Sequence, residues 1–179
     1  MSGKFEGHIS GLFYCEPCSF ETALPTWEKE LWPGRQSAIE PTSAMKWLGG
    51  IDMSLMQTSA SFWRIVQTAD GAVLGILSGH FGGLIDASAV GLSSKTSSYR
   101  TRGLWVSPSI RRAGAAGMLM ASAFEQARRE KCASVWTFPR KSSMPFYESA
   151  GFTRVGDWIG ENDPGAGEFG PNCYALAKL

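Results

Sequence analysis

The stretch that decides the reading runs from Gly103 to Gly117, GLWVSPSIRRAGAAG. Its first four residues form a short apolar strand, and Ser107-Pro108 ends it, since proline has no N–H to give a ladder. Two arginines follow, then only alanine and glycine. From about Gly114 to Glu130 the spacing predicts a helix. Ala116, Leu119, Met120, Ala123, Phe124 and Ala127 fall on one helical face, while Glu125, Gln126, Arg128 and Arg129 lie off it. A helix start leaves about four backbone N–H groups unpaired at a positive dipole end. Small residues let an anion approach that backbone, because no side chain intervenes. An anion site is therefore expected over Arg111, Arg112, Ala113, Gly114, Ala115, Ala116 and Gly117, with the arginines charging its rim. Taken alone, such a run also serves plain helix packing.

Downstream, Val135 to Phe138 is expected as a strand broken by Pro139. A short helix through Phe146 to Ser149 should end at Gly151. Phe152 to Ile159 and Cys173 to Leu179 should be closing strands, joined by the acidic loop GENDPGAGEFGP. Upstream, Phe62–Thr68 and Val73–Ser78 flank Asp70-Gly71, the sequence pattern of a hairpin. Gly11 to Cys18 could form a first strand. Glu21 to Leu31 reads as a helix stopped by Trp32-Pro33-Gly34, and Thr42-Ser43 as the cap of a second helix ending at Gly49-Gly50. Gly82 to Ser98, rich in Gly, Ser and Ala, reads as a long loop. Strands and helices alternating around a hairpin predict an α/β fold. The sheet should be mixed and mostly antiparallel, of about six or seven strands, with helices on both faces.

The length of 179 residues suits one domain. With 44% hydrophobic and 18% charged residues the composition is that of a folded chain, not a disordered one. The formal charge of +1 names no partner, but its distribution is uneven. Arg100 to Lys141 holds nine Lys or Arg against Glu125 and Glu130. From Glu148 onward five acids face Arg154 and Lys178. This fits an anion site beside one that attracts a cation, or equally a solvated helix face beside an acidic loop. No apolar h-region opens the chain and no stretch reaches membrane-spanning length, so a cytoplasmic protein without membrane contact is expected. Cys15, Cys18, Cys132 and Cys173 show no disulfide-framework spacing and are expected as free thiols. Cys15-x-x-Cys18 has a metal-ligand spacing, but no second pair completes four ligands, so no metal is expected.

GLWVSPSIRRAGAAG closely resembles the acyl-CoA signature of the GNAT acetyltransferases, here Arg111-x-x-Gly114-x-Ala116. PFYESAGF, some thirty residues on, resembles the second GNAT segment. The likeness is good from about Phe62 to Trp158 and thin before it, where Trp32-Pro33-Gly34-Arg35 loosely resembles GNAT proteins of tailed phages. It implies acetyl-CoA as cosubstrate, with its pyrophosphate on the amides of Arg111 to Gly117. It implies a pantetheine arm paired along Leu104, Trp105 and Val106, with the Val106 N–H facing the thioester oxygen. Tyr147 takes the place of the tyrosine that protonates the departing thiolate. Arg140 stands where many members have an asparagine touching the coenzyme, and could meet a phosphate instead. No carboxylate precedes the Gly103 strand to act as base.

A base is needed because an alkyl amine with a pKa near ~10 is mostly protonated at neutral pH. His80, after the strand Val73–Ser78, is the candidate; the alternative is a satisfied or exposed imidazole. Tyr147 could likewise be a core aromatic, since an FY pair packs well in any helix. Trp32, Arg35 and Glu40 could line an acceptor pocket or simply pack at a turn. Glu161, Asp163 and Glu168 could attract a cationic amine. The leading reading is an N-acetyltransferase acting on a small-molecule amine within a ternary complex. A nucleic-acid or protein acceptor, or a module that only senses acyl-CoA, are the competing readings. A homodimer is left open.

Overall fold

The computed structural model describes residues 12–35, 60–81, 96–160 and 170–179. The expected second helix after Thr42 and most of the Gly82–Ser98 loop lie outside these residues, as do Glu40, Glu161, Asp163 and Glu168. Seven strands are described: β1 (Phe13–Cys18), β2 (Ser61–Gln67), β3 (Val73–Phe81), β4 (Ser98–Val106), β5 (Ser134–Thr137), β6 (Thr153–Ile159) and β7 (Asn172–Lys178). They form one sheet in the order β1-β2-β3-β4-β5-β7-β6. The pairs β1/β2, β2/β3, β5/β7 and β6/β7 are antiparallel and β4/β5 is parallel, so the sheet is mixed and mostly antiparallel as expected. The helices are α1 (Phe20–Thr26), α2 (Ala115–Arg129) and α3 (Met144–Ser149).

The chain groups into two compact units. One holds residues 12–35, 60–80 and 101–123; the other holds 81, 96–100, 124–160 and 170–179.

In the first unit, alternation along β3 settles which helix covers which face. Ile76 packs with Ala23 and Trp27 of the α1 segment and with Phe62 of β2. A Cβ on Gly75 would instead meet Ile65 and Leu119 of α2. From Gly75 onward, even-numbered residues of β3 therefore face α1 and odd-numbered ones face α2, which puts helices on both faces, while Val73, before the register shift, packs on the α1 side. Ile65 and Val66 of β2 pair with Gly75 and Val73, so Leu74 is the extra residue of a bulge in β3, and both β2 residues are buried because each sheet face is covered. The hairpin turn has Gly71 at φ 74° and Asp70 accepting from the Ala72 N–H at 3.0 Å.

The expected helix Glu21–Leu31 is interrupted. Pro25 lies inside α1 and cannot donate. From Trp27 to Leu31 the chain widens into a π-turn, closed by the Trp32 N–H on the Trp27 carbonyl at 2.7 Å. Helix α2 buries Leu119, Met120, Ala123 and Ala127 as expected, but its first buried residue is Ala115; Ala116 is half-buried.

In the second unit, Val135 and Trp136 of β5 and Cys173, Ala175 and Ala177 of the adjacent β7 are buried. Phe124, Tyr147 and Phe152 stack in series beside them. Helix α3 begins two residues earlier than expected and stops at Gly151, φ 90°, where the Phe152 N–H returns to the Tyr147 carbonyl.

Candidate functional site

Strand β4 is nine residues long, not the four that Gly103–Val106 offered, and Ser98, expected in the preceding loop, is its first residue. Tyr99 and Thr101 are buried on alternate positions. β4 pairs with β5 only over Ser98 to Arg100. Farther along, the Ser107 N–H binds the Leu74 carbonyl at 2.8 Å. Consecutive N–H groups of a strand point to opposite sides. The N–H groups of Val106 and Leu104 therefore turn away from β3, toward the edge of β4 that those β5 pairings do not reach.

Beyond β4, Pro108–Ile110 makes one 3-10 turn. Arg111 is extended, Arg112 is left-handed at φ 65° and Gly114 is left-handed at φ 88°. An arginine with positive φ is in a conformation that L side chains rarely adopt. Arg111 to Gly114 are all exposed. The Arg111 Nε donates to the Val106 carbonyl at 3.3 Å, tying the loop to the strand end. The first bond of the helical ladder here is Met118 N–H to Gly114 carbonyl at 3.1 Å, so the four preceding amides lie outside the ladder. Gly117 is exposed, and a Cβ there would meet nothing within 4 Å. The loop thus offers clustered donors, open space and two guanidinium groups, the makings of an anion site.

His80 lies inside β3, which runs on to Phe81, rather than after its strand. It is buried, on the face that β3 turns to α1. Tyr147 is buried with its hydroxyl bonded to Thr137 of β5. Burial pushes its phenol from the ordinary 10.0 up to about 12, the hydrogen bond pulling the other way. Its ring packs edge-on against Phe146 and Phe152, so it is both a core aromatic and a fully protonated hydroxyl. Arg140 is exposed and heads the turn before α3.

Asn172, which the sequence reading did not single out, forms a bridge with Arg140, and its side chain donates to the Phe138 carbonyl at 3.3 Å. Two other residues were missed. Ser78 Oγ donates to the Arg102 carbonyl at 2.7 Å, and the Trp27 indole N–H donates to the Gly103 carbonyl at 2.9 Å. The only available hint was a glycine inside a β-type run, a common mark of a bulge.

Trp32 stacks on Trp27 and lies under the Arg102 guanidinium at 5.4 Å, so it is packed at its turn. Cys15 and Cys18 stand three apart on β1 and point to opposite faces. All four cysteines are free; burial pushes the Cys18 thiol up to about 12. Among the described residues no group of His, Cys, Asp or Glu could hold a metal ion, and no helix is long and apolar enough to cross a membrane.

The model of the acetyltransferase (GNAT) family matches residues 24–152. A search of curated proteins finds no match. Among solved structures, the chain resembles an IAA acetyltransferase from Bacillus cereus at TM-score 0.63 and 13% identity, covering 93% of this chain and 99% of that one. It resembles a NatC complex bound to Gag peptide and CoA at TM-score 0.63 and 12% identity, covering 94% and 99%. With nourseothricin acetyltransferase the TM-score is 0.52 at 19% identity, and the chain spans only 65% of that protein's length. At such identities these likenesses speak for the fold alone.

Proposed function

The chain belongs to the acetyltransferase (GNAT) family and is an acyltransferase that uses acetyl-CoA; from that premise we propose that it acetylates a primary amine of a small molecule by direct attack within a ternary complex. The observation that carries this reading is the loop from Arg111 to Gly117. Left-handed Arg112 and Gly114 lead into four ladder-free amides, and the space over Gly117 is open. These residues fit a diphosphate: amides for its oxygens, guanidinium groups for its charge, and no side chain in the way. Leu104, Trp105 and Val106 would take the pantetheine arm along their free edge as an added strand. Arg140, with Asn172 beside it, would meet the coenzyme where the family often has an asparagine.

Acetyl-CoA supplies the acetyl group as a thioester. His80 would take a proton from the attacking amine, directly or through water. As the C–N bond forms and the C–S bond breaks, the Tyr147 hydroxyl would give its proton to the leaving sulfur. Its raised pKa suits the donor role in one respect: at any working pH the phenol carries the proton to give. The rate should then rise with pH as the amine deprotonates, and Tyr147 should impose no falling limb below about 12.

A protein or peptide amine is the second reading, since one protein of like fold is a complex bound to a peptide and CoA. The test is release of free thiol from acetyl-CoA in the presence of a panel of primary amines and of short peptides. Thiol release with small amines supports the proposal, and release with peptides alone supports the second reading. Coenzyme binding without thiol release from either class would refute both.

A further inference from the structure

In a regular strand successive carbonyls point to opposite sides. At Arg102 and Gly103 they do not. The Arg102 carbonyl accepts from Ser78 Oγ at 2.7 Å, and the next carbonyl, that of Gly103, accepts from Trp27 Nε1 at 2.9 Å. Ser78 belongs to the face of β3 on which Ile76 packs against Trp27, so both donors reach β4 from the face that α1 covers. The left-handed turn at Gly103, φ 69°, is what allows two neighbouring carbonyls to share a direction.

A trans peptide holds its N–H opposite its carbonyl. The N–H groups of Gly103 and Leu104 therefore both point away from Trp27 and Ser78. Counting back along the strand from the Ser107 bond to Leu74, the Leu104 N–H also turns away from β3. Two adjacent amides turned one way form a pair of fixed donors. Such a pair stabilises an oxygen that gains charge, provided the donors are held before the reaction begins.

Trp27 is built to hold them. It is wholly buried, enclosed by Phe20, Trp32 and Phe62, and so cannot swing away from the carbonyl it binds. The fit is reciprocal: a Cβ on residue 103 would lie 2.7 Å from the Trp27 Nε1.

We infer that Trp27, assisted by Ser78, is a positioning residue for acyl transfer, aiming the Gly103 and Leu104 amides at the thioester oxygen. The inference rests on the reading of the β4 edge as the place of the pantetheine arm. It moves the oxygen contact, which the sequence reading gave to the Val106 N–H, to the adjacent pair farther from the phosphate loop.

The experiment uses acetyl-CoA carrying carbon-13 at the thioester carbonyl, bound to the whole protein and read by infrared difference spectroscopy, so no acceptor is required. In the wild type the carbonyl band should lie below its position in free acetyl-CoA. Trp27→Phe keeps an aromatic ring and removes the indole N–H. It should return most of that displacement, while calorimetry shows acetyl-CoA affinity within about threefold of wild type. Ser78→Ala removes the second anchor without a large cavity and should return a smaller part; it carries the test alone if Trp27→Phe fails to fold. A displaced band that neither folded variant moves would overturn the positioning role and leave the functional reading intact. A wild type that binds no acetyl-CoA would overturn both.

Discussion

A side chain at Gly103 would drive its Cβ to 2.7 Å from the Trp27 indole nitrogen, whereas one at Gly117 would meet nothing within 4 Å. Both glycines flank the same strand–loop–helix segment, and both match the family signature region. The first is required by the protein's own packing: its φ of 69° and its contact with a buried tryptophan leave no alternative residue. The second is required by nothing in the chain. A small residue that the fold does not need, exposed at the start of a helix, is best explained by something else that must approach there. The contrast separates two demands that a sequence writes with the same letter.

The largest effect expected is on Gly103→Ala. The left-handed backbone and the collision with Trp27 should together cost on the order of 3 kcal/mol, since Trp27 has no space to yield. Denaturant unfolding measures it, and a loss under about 0.5 kcal/mol, ordinary for a surface change, would show that the two glycines do not differ as argued. Next comes Gly114→Val. Its φ of 88° is unwelcome to a β-branched residue, at roughly 1–3 kcal/mol, but the residue is exposed and the fold should survive. Coenzyme A binding should fall by about a hundredfold or more, the scale of losing clustered donors to a phosphate. Circular dichroism of native shape together with unchanged binding would remove the loop from the site.

Much of this was legible in the sequence because it depends on local chemistry. The hairpin followed from Asp70-Gly71 between two β-type runs, and α2 followed from the spacing of Leu119, Met120, Ala123 and Ala127. The open, exposed turn before α2 was legible in the run of small residues from Ala113 to Gly117. What was not legible depends on distant partners. The first half of β4, from Ser98 to Arg102, is polar and basic, yet it is a strand that pairs with β5 over Ser98 to Arg100 and buries Tyr99 and Thr101. The π-turn after α1 begins at Trp27, whose indole N–H is bonded to the distant Gly103 carbonyl. No local pattern reports a hydrogen bond that spans seventy-six positions. Asn172 was overlooked because only strand pairing brings it to Arg140.

Tyr147 sharpens the same contrast in the second unit, for it too serves packing and chemistry at once. Tyr147→Phe keeps the edge-on contacts with Phe146 and Phe152 and removes only the hydroxyl and its bond to Thr137. Coenzyme affinity should stay nearly unchanged, while turnover with an accepted amine should fall by about a hundredfold, the range of a lost general acid. Full turnover in the folded variant would leave Tyr147 as a packing residue alone.

The smallest structural effect, and the most discriminating, belongs to Gly117. Gly117→Ala adds one methyl group in open space on a helix, where alanine is favoured over glycine by up to about 1 kcal/mol. The variant should therefore be as stable as the wild type or slightly more so, with coenzyme binding weakened only modestly. Gly117→Leu should also fold, because the position is exposed and its Cβ would meet nothing within 4 Å. It would nevertheless stand over the ladder-free amides, and coenzyme A affinity should fall by about tenfold or more. Stability and binding would then move in opposite directions along the series Gly, Ala, Leu. A packing glycine cannot produce that pattern, since whatever crowds it harms the fold first. If binding instead followed stability at Gly117 as it should at Gly103, the two positions would be alike and the open space at the helix start would have no ligand to explain it.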